Sequence, residues 1–157
     1  MYYFAYGSNM DKNDLDNWCK KNNRQMIEFK EVIPAKLHNY KLTFNYYSRS
    51  RDGGAANIMP LKGSCVYGLL LKINKEGLKL IRRKEGHPKY YEEINIEVES
   101  LDGEKINNVK SYKVVKEREL ASFQAPTRSY MDLIINNARN YNFPIDYINF
   151  LKSFETK

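Results

Sequence analysis

The chain has 157 residues, a formal net charge of +7, 42% hydrophobic and 29% charged residues. That balance supports one core without covalent staples and excludes a disordered chain, while its longest apolar stretch, around residues 66–71, is too short to cross a bilayer. Two cysteines, no Asn-x-Ser/Thr sequon and an opening without a basic-then-apolar leader point to a cytoplasmic domain in a reduced compartment.

Residues 2–6, Tyr-Tyr-Phe-Ala-Tyr, are unbroken in aromatic and apolar character and predict a short buried strand, ended by Gly7-Ser8-Asn9. Asp11 is placed to cap a following helix, with Asp14 three residues on, and Leu15, Trp18 and Cys19 fall at helical spacing. Strand-like segments follow near 25–33 and 40–47. The stretch 48–54 reads as a polar, glycine-ended loop. Residues 55–59 and 65–73 predict two more strands, the second apolar enough to be central, with Cys65 a small core residue.

Asn74 then caps a predicted helix over 75–85, Leu78 and Ile81 form its buried stripe, and Gly86 and Pro88 end it. Residues 90–99 alternate as a strand, and Asp102-Gly103 reads as a hairpin turn into a partner over 106–115. Thr127 caps a helix carrying Tyr130, Leu133, Ile134 and Ala138, and Pro144 opens a last helix through Leu151. No repeat, linker or low-complexity tract divides the chain. The expectation is a single α+β domain over 1–157.

The charge of +7 raises nucleic acid as a partner, but the lysines and arginines are interspersed with acids and the densest cluster is only Arg82-Arg83-Lys84. His38 and His87 lack metal-ligand neighbours at useful spacing, and the nucleophile-elbow, P-loop and dinucleotide motifs are missing. Two features carry chemistry. Tyr6-Gly7-Ser8-Asn9 stops a strand at a glycine and enters a helix, a turn that can aim N–H groups at an anion or carbonyl. It also reads as a plain turn, with glycine serving a positive φ and Ser or Asn a cap. Glu85-Gly86 ends a helix, and there the alternative is a solvated glutamate paired with Arg82 or a neighbour.

Taken together, these segments resemble the gamma-glutamylcyclotransferase family. The residues that carry the resemblance are Phe4-Ala5-Tyr6-Gly7-Ser8-Asn9-Met10, then in order Gly53-Gly54-Ala55-Ala56-Asn57-Ile58, Val66-Tyr67-Gly68-Leu69-Leu70-Leu71, Lys84-Glu85-Gly86 with Tyr90-Tyr91, Ser111-Tyr112, and Pro126-Thr127-Arg128-Ser129-Tyr130. The run 138–147 resembles the closing helix pair, so the likeness spans roughly residues 2–151. It implies a small mixed β-barrel-like sheet flanked by helices, with a pocket at one end. The implied activity converts a gamma-glutamyl compound into 5-oxoproline and a free amine or amino acid. Glu85 would be the general acid/base, and Tyr6, Gly7, Ser8, Asn9 and Met10 would grip the glutamyl head. Tyr130 and either Tyr91 or Tyr90 would line the pocket.

The resemblance implies no cofactor and no metal. It implies a small gamma-glutamyl substrate as partner, with no nucleic acid and no membrane, and leaves homodimerisation open. A gamma-glutamylamine cyclotransferase acting on gamma-glutamyl-lysine-type compounds, and a non-catalytic binding module on the same fold, are the two alternative expectations.

Overall fold

The opening aromatic run forms β1 (Tyr2–Ala5), buried over its last three residues. The computed structural model describes residues 1–157. β1 pairs antiparallel with β5 (Asn57–Lys72), Phe4 opposite Leu70, and parallel with β7 (Lys105–Val114), Tyr3 opposite Lys110. With β2 (Glu31–Thr43) and β6 (Tyr91–Ser100) the strands close into a barrel in the order β1-β5-β2-β6-β7. The architecture is the expected mixed, barrel-like α+β fold, and β5 is flanked by β1 and β2 as its apolar run requires.

Direction decides what this closure brings together. Because β1 runs parallel to β7 and β7 antiparallel to β6, the end of β1, the end of β7 and the start of β6 lie at one end of the barrel. Helix α2 (Lys75–Glu85) also ends there, since only Gly86–Tyr90 separate it from β6. Its Asn74 cap accepts the Gly77 N–H at 2.8 Å, and Gly86 closes it at φ +66, a left-handed conformation that favours glycine. Helix α1 (Lys12–Lys21) starts where Asp11 accepts the Asp14 N–H at 2.9 Å and buries Leu15 and Cys19. Helix α3 (Arg128–Asn140) is capped by Thr127, and with α4 (Ile145–Lys152) it adds Ile134, Ala138 and Leu151 to the barrel's core. No helix is long and apolar enough to cross a membrane.

Four expectations change. The segments near 25–33 and 40–47 are not two strands. Residues 31–43 form one strand with a bulge between His38 and Tyr40, where Asn39 takes φ +63, and residues 25–30 lie outside it. Likewise 55–59 and 65–73 merge into β5, whose middle is exposed around Gly63. There β2 and β5 project beyond the core, so backbone pairing continues after the apolar alternation has stopped. The 48–54 loop contains a small hairpin of β3 (Tyr47–Ser48) and β4 (Gly53–Gly54). Pro144 stands one residue before α4, at its N-cap.

The hairpin is pressed against residues 124–125. The Gly54 N–H donates to Ala125 O at 2.9 Å, and a Cβ on Gly54 would stand 1.9 Å from Gln124 O. Gly54→Ala therefore forces two backbone segments apart. It should lower the unfolding free energy by about 1–3 kcal/mol, the usual cost of overpacking, read as a reduced urea midpoint at unchanged slope.

Candidate active site

A cleft of about 940 Å³ opens at the barrel end where β1, β6 and α2 converge. Tyr6, Gly7, Ser8 and Asn9 reach it from the short 3-10 turn after β1, Glu85 from the last turn of α2, Tyr91 from the first residue of β6 and Tyr130 from the first turn of α3. Met10 does not line it. Its side chain is buried in the core, and its N–H closes the turn onto Gly7 O at 3.1 Å. Tyr90 and Tyr91 both line the cleft, but only Tyr91 is buried, and it donates from its hydroxyl to Ala56 O at 2.8 Å.

Asn9 connects the loop to Glu85. Its buried amide donates to Glu85 Oε1 at 2.7 Å and to the Tyr3 hydroxyl at 2.9 Å, and its Oδ1 accepts from Lys84 Nζ at 2.6 Å. Gly7 is there for space rather than for a positive φ. Its φ is −118°, and a Cβ would lie 3.2 Å from the Ala56 Cβ and 3.4 Å from the Tyr130 hydroxyl. The Ala56 peptide is held from both sides, since its N–H donates to the Tyr130 hydroxyl at 3.0 Å while its carbonyl accepts from Tyr91. Tyr6 donates to Tyr112 O at 2.5 Å.

Arg51, from the β3–β4 turn, completes the wall. It grips Asp14 through two bonds of 2.9 and 2.7 Å, donates to Ser8 Oγ at 3.2 Å and lies over the Tyr130 ring. Arg51, Asp14 and Tyr3 are site residues that the sequence motifs do not single out, while Lys84 and Tyr112 lie within the motif segments but carry no site role there. Asp14 was legible only as a helix-start residue, and Arg51 only as part of a polar loop. Arg82 does not pair with Glu85. It turns away to bond Glu93 at 2.6 and 3.0 Å.

Burial pushes the Glu85 carboxyl above its ordinary value, opposed by the positive charges of Lys84 and Arg51 and by the Asn9 bond. Burial likewise lowers Lys84, with Glu85 opposing. Asp14 behaves differently: burial would raise it, but Arg51 and then Lys84 hold it below the usual carboxylate range. The phenols of Tyr3, Tyr6 and Tyr91 are driven well upward, first by burial and then by neighbouring charges that include Glu85. The cleft therefore holds neutral phenol donors around a partly exposed carboxyl whose proton is easier to keep than in water, the property wanted of a general acid/base near neutral pH. No three His, Cys, Asp or Glu side chains are grouped so as to hold a metal ion.

A carboxyl that binds its proton more tightly when folded makes its most favourable contribution to stability in acid. That contribution declines as pH rises through the ordinary value of 4.5 towards the raised folded one. Glu85→Gln abolishes the decline. Its stability should match wild type below the ordinary glutamate range and exceed it at neutral pH, measured by urea unfolding across the pH series. A variant that is less stable at neutral pH would mean that the ionised carboxylate is net favourable in the folded chain.

The AIG2-like family model matches residues 65–151, more than half of the chain, a span that includes Glu85, Tyr91 and Tyr130. Gamma-glutamylcyclotransferase from Bos taurus is 29% identical over 98% of this chain and 78% of its own length, and that from Homo sapiens is 28% identical over the same shares. A solved structure of a gamma-glutamyl cyclotransferase superposes with a TM-score of 0.81 at 28% identity, covering 100% of this chain and 89% of that one. These alignments reach the Tyr6–Asn9 turn that the family model leaves out. The chain belongs to the AIG2-like family, with gamma-glutamylcyclotransferases as its full-length relatives.

Proposed function

We propose that the 157 residues act as one gamma-glutamylcyclotransferase domain, cyclising a small gamma-glutamyl compound to 5-oxoproline with Glu85 as general acid/base. The observation that carries this reading is the 2.7 Å bond from Asn9 to Glu85, which unites the loop after β1 with the end of α2 in one cleft. The names of the full-length relatives support the same reaction class.

The chemistry suits the residues present. The substrate's own α-amine is the nucleophile, so the protein supplies no Ser or Cys attacker. Glu85 takes a proton from that amine as nitrogen attacks the gamma-carbonyl carbon, forming the five-membered ring. When the tetrahedral centre collapses, the bond to the leaving nitrogen breaks and Glu85 returns the proton to it. Residues 7–9 line the cleft, and a first helical turn leaves N–H groups without intrahelical partners, donors suited to a carboxylate or a developing oxyanion. The enclosing tyrosines hold the flexible glutamyl chain near its cyclic geometry, which contributes by proximity. Cytoplasmic residence and a small-molecule partner, rather than nucleic acid or membrane, accompany the proposal. Homodimerisation is independent of it.

Incubation with gamma-glutamyl-alanine, gamma-glutamyl-lysine and glutathione should release 5-oxoproline, detected by mass spectrometry, from at least one of them. Glu85→Gln should lower that release by about two to four orders of magnitude while leaving the circular dichroism spectrum and glutamyl-head binding intact. Wild-type turnover in the variant would remove Glu85 from the mechanism. Tight binding by the wild type without 5-oxoproline would favour a binding module.

A further inference from the structure

Two acids, Asp14 and Glu85, line the cleft, against six cations. The two acids are engaged at the cleft's inner wall: Asp14 is gripped by Arg51 and lies 3.9 Å from Lys84, and Glu85 is bonded by Asn9. The other four cations, Lys21, Arg49, Arg83 and Arg118, make no ion pair with any carboxylate. They do not belong to one basic run. They come from the end of α1, the β3–β4 turn, the last turn of α2 and the segment after β7, four separate parts of the chain that the fold gathers around one opening. Arg118 is also held in place, donating to Lys89 O at 2.9 Å with its guanidinium 4.2 Å from the centre of the Tyr90 ring.

Resting on the cyclotransferase reading, we propose that this rim selects gamma-glutamyl compounds whose leaving amine carries an acidic side chain as well as its own carboxylate, and rejects cationic leaving groups. With the turn at residues 7–9 holding the glutamyl head beside Glu85, the leaving half projects towards the rim. There a second carboxylate meets unpaired guanidinium and ammonium groups, and arginine forks suit carboxylates in particular. A converging set of like charges around a low-dielectric cleft concentrates its field, so one extra negative charge is rewarded and a positive one repelled.

The test compares gamma-glutamyl-glutamate with gamma-glutamyl-glutamine, which have nearly the same shape and differ by one charge, and adds gamma-glutamyl-lysine. At low salt, kcat/KM should favour the glutamate compound about tenfold over the glutamine one, through KM, with the lysine compound poorest. The preference should shrink towards unity near 1 M salt, where the Debye length is about 3 Å. Arg49→Gln combined with Arg118→Gln should narrow the same ratio. Equal kcat/KM for the glutamate and glutamine compounds at low salt, or a preference that neither salt nor the double variant moves, would overturn the proposal. The cyclotransferase reading fails separately, if none of the three yields 5-oxoproline. Calorimetric titration with the glutamate and glutamine compounds would then still decide whether the rim discriminates by charge.

Discussion

The site depends on a very short piece of hydrogen bonding, the parallel pairing of β1 with β7 that closes the barrel at Tyr2 opposite Val109 and Tyr3 opposite Lys110. Two register pairs form a slender seam between segments more than a hundred residues apart, and side chains extend it. Ser111 donates to Phe4 O at 2.9 Å and Tyr6 donates to Tyr112 O, so the ladder continues through hydroxyls after the strand pairing has ended. Loop-closure entropy opposes contacts of such sequence separation, and buried bonds along the seam offset part of it. Paired with β5 on its other side, β1 then carries the turn at residues 7–9 to the barrel end where α2 delivers Glu85 and β6 begins.

The seam leads into a polar interior that a protein optimised only for stability would not contain. Glu85 and Lys84 are both displaced by burial towards their neutral forms, and both stand next to Asn9, whose amide satisfies each of them. Such an arrangement is tolerated because the surrounding core is continuous from the barrel to α3 and α4. Local strain of this electrostatic kind is characteristic of functional sites. By contrast, Glu93, which does not line the cleft, forms a settled ionic group with Arg82, Lys110 and the Tyr112 hydroxyl, its carboxyl lowered to about 2 chiefly by the Arg82 bonds. Two glutamates eight residues apart are thus pushed in opposite directions by their surroundings.

What could be read in advance follows a physical division. Caps were legible because Asp11, Asn74, Thr127 and Gly86 act on neighbours a few residues away, and all four behave as local chemistry requires. The strands merged where exposed arms of β2 and β5 keep pairing without an apolar face, a circumstance with no signature in hydropathy. Tyr6, Ser8, Asn9 and Glu85 were accessible through motif resemblance, while Met10, part of the same motif, turns into the core because the 3-10 turn rotates it away. Arg51 and Asp14 were invisible because their meeting depends on a hairpin landing against α1, 37 residues distant, and nothing local encodes that.

The glycines of β4 carry one more consequence. With Gly53 and Gly54 pressed against the backbone at Gln124–Ala125, and the Gln124 and Leu120 N–H groups donating to Phe44 O and Asn45 O at 2.7 Å, the hairpin bearing Arg49 and Arg51 is fastened at both margins. It cannot swing outward as a hinged flap without breaking main-chain bonds. The wall that Arg51 completes is therefore assembled when the chain folds and not when a ligand arrives. The entropy of ordering those side chains is spent in advance, and what enters the cleft meets a mould that is already set.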